Sequence, residues 1–536
     1  MSTKTGTAAG YTALLDALDS FLCDQGHAWG LTYSGTGNGR LSGHIGTATS
    51  VVETITVTAT TSTTFSVTGS VSGSLGTATV GVAFTSTKCA FTITAGGTAF
   101  VAGDFFRFNT SPKWTRLRYG GCLEALYRTA NFTNVAYLFD NLTGSGTNTI
   151  STTTFPATVT VQMFKATEVR AFSLWSDGAT TRAPKDFSLQ YSDDGSSWTT
   201  AQSWTSETWS QTYFRRDFVL SSSAGSHLYW RVNITAANSS TLGMAEVRLW
   251  GDAAMKLDVS SRFEFAWQAP GTDGTKTIYA AGYTVTDNAA DSYNLVFRGF
   301  RYWTDPAVSV VDVPNHAGDK AMLLSKNTTA YWFVVHGSRL IVVTRTSSVY
   351  EMTYIGFGLP YETPTTHPFP FIVGAPYGGT SARWDLNTAG GYRNPCDPGA
   401  ENLTAGGNAS MAVIMPDGNW LQIANRYTTG GSAEGGGDTP STTQRGKTWP
   451  YSHNDNGSVQ VDHLRDCVDG TKPMLPVVIF KPTTPTHVWG EFDGVYWTTG
   501  FANTAESLIQ DGALDHLVVP NVYRSTLNAF AAVALD

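Results

Sequence analysis

Between positions 55 and 93 the chain keeps a two-residue period. Ile55, Val57 and Ala59 alternate with threonines, as do Phe65 with Val67, Val80 with Val82 and Phe84, and Phe91 with Ile93. Successive side chains of a strand point to opposite faces, so this period predicts half-buried antiparallel strands and excludes a helix. Threonines take the wet face and Gly-Ser breaks supply the turns. The stretch TITVTATTSTTFSVTGSVSGSLGTATVGVAF has a low-complexity composition, but its alternation argues for a core. Across the chain only 14% of residues are charged and 12% are aromatic, with 54 glycines. That is the composition of a folded, mainly β protein.

The chain has 536 residues, too many for one hydrophobic core, so about two to four domains are expected. Its net charge of −8 is spread thinly, and no Lys/Arg run offers a nucleic acid an electrostatic footprint. The start, MSTKTGTAAGYTALL, lacks a signal peptide's apolar stretch. The best membrane candidate, YWFVVHGSRLIVVT, is broken by His336, Gly337 and Arg339, so no membrane insertion is expected. Five cysteines (Cys23, Cys89, Cys122, Cys396, Cys467) form no C-x-x-C pair, and they read as small buried hydrophobes in a protein folded in a reducing cytoplasm.

The first element is a helix in AAGYTALLDALDSFLCDQG, with Tyr11, Leu14, Leu15, Leu18, Phe21 and Leu22 on one stripe and Gly26 at its end. The strands after it offer few large residues to cover that stripe, so the helix reads as an assembly element for a neighbouring subunit. Four regions follow: 1–110, the helix plus a β domain; 111–159, a connecting region; 160–252, a self-contained unit; and 253–536, aromatic-rich and β-rich. The unit at 160–252 shows strands at VTVQMF, EVRAFSLW, DFSLQYS, YFRRDFVL, LYWRVNIT and MAEVRLWG, the spacing of a sandwich or barrel. Near the end, NTAESLIQDG reads as a short helix capped by Asn503 with Glu506 reaching back. HLVVPNVYR and AFAAVALD read as closing strands.

Within 160–252, PKDFSLQYSDDGSSWTT matches the pattern P-x-D-W/F-x-L-Q/E-x-S-x-D-G-x-x-W. A YFRR/YWRV-type strand and a terminal AEVRLWG follow in order. The unit thereby resembles a discoidin-like, coagulation-factor type C domain, which implies a jelly-roll β-sandwich. Phe187, Leu189 and Tyr191 share one strand face, Asp194-Gly195 supplies a tight turn, and Trp198 is expected to pack back across the sandwich. Asp193 and Asp194 look like a calcium pair, but turn chemistry explains them better. The resemblance implies that binding is done by loops at one rim, here LWSDGATTRAPKD and TAQSWTSETWSQTY. Trp175, Asp177, Arg182, Trp209 and Tyr213 are the candidate ligand-binding residues, and Trp204 is expected in the core. Aromatic faces with one Arg and one Asp suit a sugar.

The flanks, in YWFVVHGSRLIVVTRTSSVYEMTYIGFGLPYETPTTHPFPFIVGA and GVYWTTGFANTAESLI, resemble structural proteins of tailed-bacteriophage virions. This resemblance implies a tail-tip, baseplate or fibre-associated role, assembled in the host cytoplasm. The implied partners are other tail or virion proteins, further copies of this chain, and a host surface glycan. A capsid or collar decoration protein and a glycan-degrading tail enzyme are the alternatives. No G-x-S-x-G, H-E-x-x-H, P-loop or G-x-G-x-x-G occurs, so no enzyme, cofactor or metal site is expected. The polar cluster His453, Asp455, Asp462, His463, Asp466 and Asp469 reads as a solvated loop.

Overall fold

In a computed structural model the protein is almost entirely antiparallel β-sheet with one α-helix, Tyr11–Cys23, among the described residues. The structure describes residues 2–120, 128–130, 138, 149–255, 259, 264–270, 278–287, 291–303, 310, 313–337, 339–361, 371–374, 376, 383–385, 394–396, 411–414, 419–423, 447–449, 467, 470–481, 487–511, 514–520 and 530–535. The cluster from His453 to Asp469 lies outside them.

The first strand, Ser2–Ala9, does not join the strands that follow it. It pairs antiparallel with Thr328–His336, from Ser2 opposite Val335 to Ala9 opposite Thr328. It thereby closes a seven-stranded sheet that continues through Arg339–Thr346, Val349–Phe357, Phe371–Gly374, Met411–Ile414 and Trp420–Ile423. On one face of this sheet lies a five-stranded sheet, Thr115–Gly120, Glu264–Ala269, Ile278–Asp287, Ser292–Phe300 and Lys320–Met322. On the other lies a sheet that includes Met474–Lys481, His487–Thr498, Leu514–Val519 and Phe530–Ala534. The central strands are therefore buried on both faces, which is why YWFVVHGSRLIVVT reads as nearly continuous apolar sequence. It is a β-hairpin, with Ala330 opposite Arg345 and His336 opposite Arg339.

The helix reading is corrected in its partner. Leu14, Leu15, Leu18, Phe21 and Leu22 are all buried, in one core with Trp114, Phe265, Trp267 and Phe297 of the five-stranded sheet and Phe333, Val335 and Leu340 of the central sheet. The large residues that cover the stripe come from far along the chain, so the strands next to it gave no sign of them. Buried Asp19 anchors the helix: its Oδ1 accepts hydrogen bonds from Arg116 Nε at 3.0 Å and Trp267 Nε1 at 3.2 Å.

Two sandwiches are inserted into this body. The first pairs a five-stranded sheet (His27–Ser34, Phe105–Ser111, Glu53–Ala59, Thr64–Gly69, Gly73–Thr79) with a three-stranded one (Arg40–Gly46, Cys89–Thr94, Ala83–Thr85). Ile55, Val57, Ala59, Phe65, Val67, Phe91 and Ile93 fill its core, as the alternation predicts. Val80 and Val82 do not belong to a strand. Gly81 turns there with φ +80°, and Val82 is exposed. The second sandwich is described with the candidate site. In the C-terminal part, NTAESLIQDG forms no helix. Glu506 sits at φ +64° and accepts hydrogen bonds from Tyr350 Oη at 2.8 Å and from Arg345, while Leu508–Asp511 is a strand. Cys23, Cys89 and Cys396 are buried as expected, whereas Cys467 is exposed. No described helix is long and apolar enough to cross a membrane.

The helix core predicts that Leu18→Asp, which puts a carboxylate among buried apolar side chains, lowers body stability by on the order of 3 kcal/mol or more. Calorimetry of the full chain should show the body's thermal transition displaced or lost, and an unmoved transition would refute the packing. His27 gives a second prediction. It is wholly buried where the helix meets the first sandwich, edge-on to Phe21 with ring centroids 5.4 Å apart and Nε2 3.3 Å from Leu22 O. Burial pushes its pKa down from 6.5 to about 4. Between those values the unfolded chain holds a proton that the folded chain does not. Stability is therefore full above about pH 6.5, declines as the pH falls, and levels below about 4. In His27→Gln the slope of unfolding temperature against pH should shrink in that window, and an unchanged slope would exclude His27 as a contributor.

Candidate functional site

The second sandwich packs a five-stranded sheet (Arg128–Ala130, Ala157–Glu168, Ser226–Ala237, Pro184–Ser192, Thr199–Trp204) on a four-stranded sheet (Ile150–Thr152, Leu242–Trp250, Ala171–Ser176, Arg215–Val219). All six expected strands are present. Its core also takes Leu138, Ile150, Ala157 and Val159 from the stretch read as a connecting region, and Val259 from beyond 252. The sandwich therefore begins earlier in the chain than the motif indicates, because its first strands carry no part of the signature. Trp204 packs on the core as expected, in an aromatic cluster with Phe172 (ring centroids 5.0 Å), Phe187 and Phe218.

The hairpin at its far rim is structural. Gly195 takes φ +68°, while Asp194 Oδ1 accepts the N–H groups of Ser197 at 2.7 Å and Ser196 at 2.8 Å. These bonds hold the Asp194 carboxyl well below the usual range. Asp193 Oδ2 lies 3.0 Å from His227 Nδ1. Asp194 thus acts as a turn residue, while Asp193 is tied to the strand Ser226–Ala237 through His227 and Leu228. Trp198 departs from expectation. It is half-buried on the outer face of the five-stranded sheet, under the Arg231 guanidinium at 4.1 Å from its ring centroid. Three residues past the turn glycine and one before the strand Thr199–Trp204, Trp198 has not yet re-entered the sheet, so its ring stays off the core.

At the opposite rim, the loops 177–183, 205–214 and 238–241 meet, and they are pinned to one another. Glu207 N donates to Lys185 O at 3.0 Å, Ser206 N to Asp186 Oδ1 at 2.7 Å, and Asn238 Nδ2 to Ala183 O at 3.2 Å and Glu207 O at 3.1 Å. Ser176 Oγ donates to Gln211 O and accepts from Phe214 N, each at 3.0 Å. A rim so cross-linked is held in one shape before any ligand arrives.

The five candidate residues do converge on this corner, in different roles. Trp209 is 7% exposed, lies in the core and donates from Nε1 to Pro184 O at 2.7 Å. Trp175 is 7% exposed, with the guanidinium groups of Arg215 and Arg248 over its ring at 5.2 and 5.3 Å. Neither ring offers a face for stacking, which corrects the expectation for both. Trp209 lies in a loop with no periodicity, and Trp175 lies near the end of a strand buried at every position, Ala171–Ser176, so no alternation separated buried rings from exposed ones. Asp177 is buried too. Its Oδ2 pairs with Arg182 Nη2 at 2.8 Å, its Oδ1 accepts Ala179 N at 2.9 Å, and its carbonyl accepts Tyr213 N at 3.0 Å. A Cβ on Gly243 would lie 2.0 Å from Asp177 Oδ2, so the carboxylate is packed against bare backbone. Asp177 therefore organises the corner, and Arg182 and Tyr213 remain half-exposed at its surface.

Sequence reasoning missed Phe214, read there as part of a strand. The strand starts at Arg215 and leaves the Phe214 ring exposed beside Gln211 and Thr212, which are also exposed. Together these five side chains provide aromatic surface, an amide, a hydroxyl and a guanidinium on a fixed frame. Among the described residues no group of three or more His, Cys, Asp or Glu side chains is placed to hold a metal ion.

Residues 137–220 match the model of a family described as a NedA-like, galactose-binding domain. The chain carries a discoidin-like, galactose-binding-like β-sandwich. Similar solved structures include the family 32 carbohydrate-binding module of Clostridium perfringens NanJ in complex with galactose, at 9% identity and TM-score 0.21, covering 24% of this chain and 98% of that one. The family 32 module of Streptococcus pneumoniae EndoD is 15% identical at TM-score 0.20, covering 26% and 100%. The module CpGH89CBM32-6 of Clostridium perfringens is 18% identical at TM-score 0.20, covering 24% and 99%. No curated protein matches the chain.

The two tryptophans should separate by their environments. Trp209→Ala removes a core ring and its hydrogen bond and is expected to cost about 3–5 kcal/mol of sandwich stability. Trp198→Ala removes a half-exposed cation–π partner and should cost roughly 1 kcal/mol. Denaturant titration of both variants measures this, and equal losses would contradict the placement of Trp198.

Proposed function

We propose that this chain is a structural protein of a tailed-phage particle, probing the host surface through a glycan-binding sandwich. The match of residues 137–220 to a galactose-binding-like family carries the glycan half of this reading. The rim chemistry supports it. A pyranose presents an apolar C–H face that an aromatic ring such as Tyr213 or Phe214 accommodates, and hydroxyls that Arg182, Gln211 and Thr212 can engage. A neutral, galactose-containing glycan fits such a site better than a strongly charged one, because Arg182 already shares its charge with Asp177.

The virion half rests on the resemblance of the flanking sequence, and the layout of the chain favours it. A three-sheet body carries two inserted sandwiches, which separates a part that builds into a particle from parts that project. Its partners in this reading are other tail or virion proteins and further copies of itself, and repetition in the particle would raise weak single contacts to useful avidity. The protein binds and does not cleave, and its site of action is the virion.

The test is binding of the purified full chain to a glycan array and to host cells. Tyr213→Ala and Phe214→Ala are each expected to weaken binding several-fold, since one stacked ring contributes on the order of 1 kcal/mol, with unfolding temperature nearly unchanged. Unaltered binding in both variants would remove the rim from the reading. Release of reducing sugar from host polysaccharide would favour a glycan-degrading enzyme instead.

A further inference from the structure

We propose that the discoidin-like sandwich has a second binding site, on the outer face of its five-stranded sheet, where Arg231 takes the carboxylate of an acidic sugar, a hexuronate. Other arginines of this sandwich are paired. Arg170 faces Glu168, Arg182 faces Asp177, Arg215 faces Asp217, Arg216 faces Glu207 and Arg248 faces Glu246, each within 3.5 Å. Arg231 is half-buried and faces no carboxylate among the described residues. Burial alone lowers its pKa below the usual arginine value, with no neighbouring acid to oppose the shift. A cation drawn partly out of water without a counter-ion is a cost that a bound anion offsets.

The guanidinium is also fixed in place. Its Nε donates to Gln190 Oε1 at 2.7 Å, and its Cζ lies over the Trp198 ring at 4.1 Å from the centroid. Gln190 is held in turn, its Nε2 donating to Thr200 Oγ1 at 3.2 Å. Among the described residues neither terminal nitrogen of Arg231 has an acceptor, and neither has the Trp198 indole N–H. Two parallel N–H donors are thus held ready for a carboxylate. The surroundings select a sugar to carry it. Arg231 stands opposite Gln190 on one neighbouring strand and Thr160 on the other, with Tyr229 and Asn233 two residues away on its own. All four are uncharged hydrogen-bonding side chains, suited to hydroxyls. A polyanion such as a nucleic acid needs several cations, and these flanking positions hold no other. An apolar peptide needs exposed hydrophobics, and none of the large ones among the described residues lies on these strands.

The test is calorimetric titration of the full chain with tetraglucuronate and with its methyl ester. The ester keeps the ring hydroxyls but loses the charge, and it should bind about ten-fold or more weakly than the acid. Arg231→Lys keeps the charge but loses the fork and should weaken binding of the acid several-fold. Thr200 is exposed, which gives an arm that leaves the half-buried arginine in place. Thr200→Glu sets a carboxylate within reach of Arg231 across Gln190, and should abolish binding while the unfolding temperature holds or rises. Excess galactose, the ligand expected at the rim, should not displace tetraglucuronate. Equal binding of acid and ester, no binding of the acid at millimolar concentration, or unaltered binding in both folded variants would overturn the site. Displacement by galactose would put the acid at the rim and overturn it equally. Displacement by acetate at the same concentration would show a site for any small anion and overturn the sugar assignment.

Discussion

The pairing of Ser2–Ala9 with Thr328–His336 is the constraint on which the rest of the architecture depends. It makes the first residues part of a sheet otherwise built from the far half of the chain. The chain between these two strands supplies the helix and the five-stranded sheet of the body and leaves it twice, once for each inserted sandwich. The contact is close: a Cβ on Gly6 would lie 2.6 Å from the Tyr331 hydroxyl oxygen, so the strand lies flat against that ring. The helix that follows is delivered by this strand to the gap between two sheets, where its stripe is fully covered.

Buried charge is used in the body to hold layers rather than to perform chemistry. Arg339, on the central sheet, is fully buried with Nε 2.9 Å from Asp493 Oδ2 on the neighbouring sheet. Burial pushes the adjoining His336 pKa down to about 3. Arg118 and Glu264 form a second buried pair within the five-stranded sheet. Such pairs add little net stability but make the wrong packing costly, because a displaced partner leaves an isolated charge. Asp177 plays a related part in the discoidin-like sandwich, where its carboxylate holds Ala179 and Arg182 of its own loop and its backbone carbonyl ties down Tyr213.

What was legible in the sequence was whatever depended on period. Ile55, Val57 and Phe65 announced their core, and Phe187 and Leu189 announced theirs, because a strand's two faces impose alternation. The helix stripe was equally clear. Its partner was not, since Phe265 and Phe333 lie hundreds of residues away and no local pattern points to them. Loop residues carried the weakest signal. Trp175 and Trp209 looked like ligand-stacking rings from their polar neighbours, yet they are frame, and Phe214 looked like strand, yet it is surface. Glu506 looked like a helix cap and is an acceptor for Tyr350 and Arg345. In each case the deciding contact is with a segment remote in sequence. The family match and the signature motif agree on the sandwich because that motif is a hairpin, a structure local enough for sequence to record.

The late partner of the first strand has a consequence for how this protein is made. A chain emerging from the ribosome exposes Ser2–Ala9 and the apolar helix long before Thr328 exists. Both sandwiches close mainly on residues within their own spans and can fold as they emerge. The body cannot, for its defining contact joins residues more than three hundred positions apart, with the slow closure that such separation brings. During that interval Leu14, Leu15, Leu18, Phe21 and Leu22 have nothing to cover them. The helix is therefore the segment most in need of a chaperone or of rapid completion, and translation pauses between the second sandwich and Thr328 would prolong its exposure.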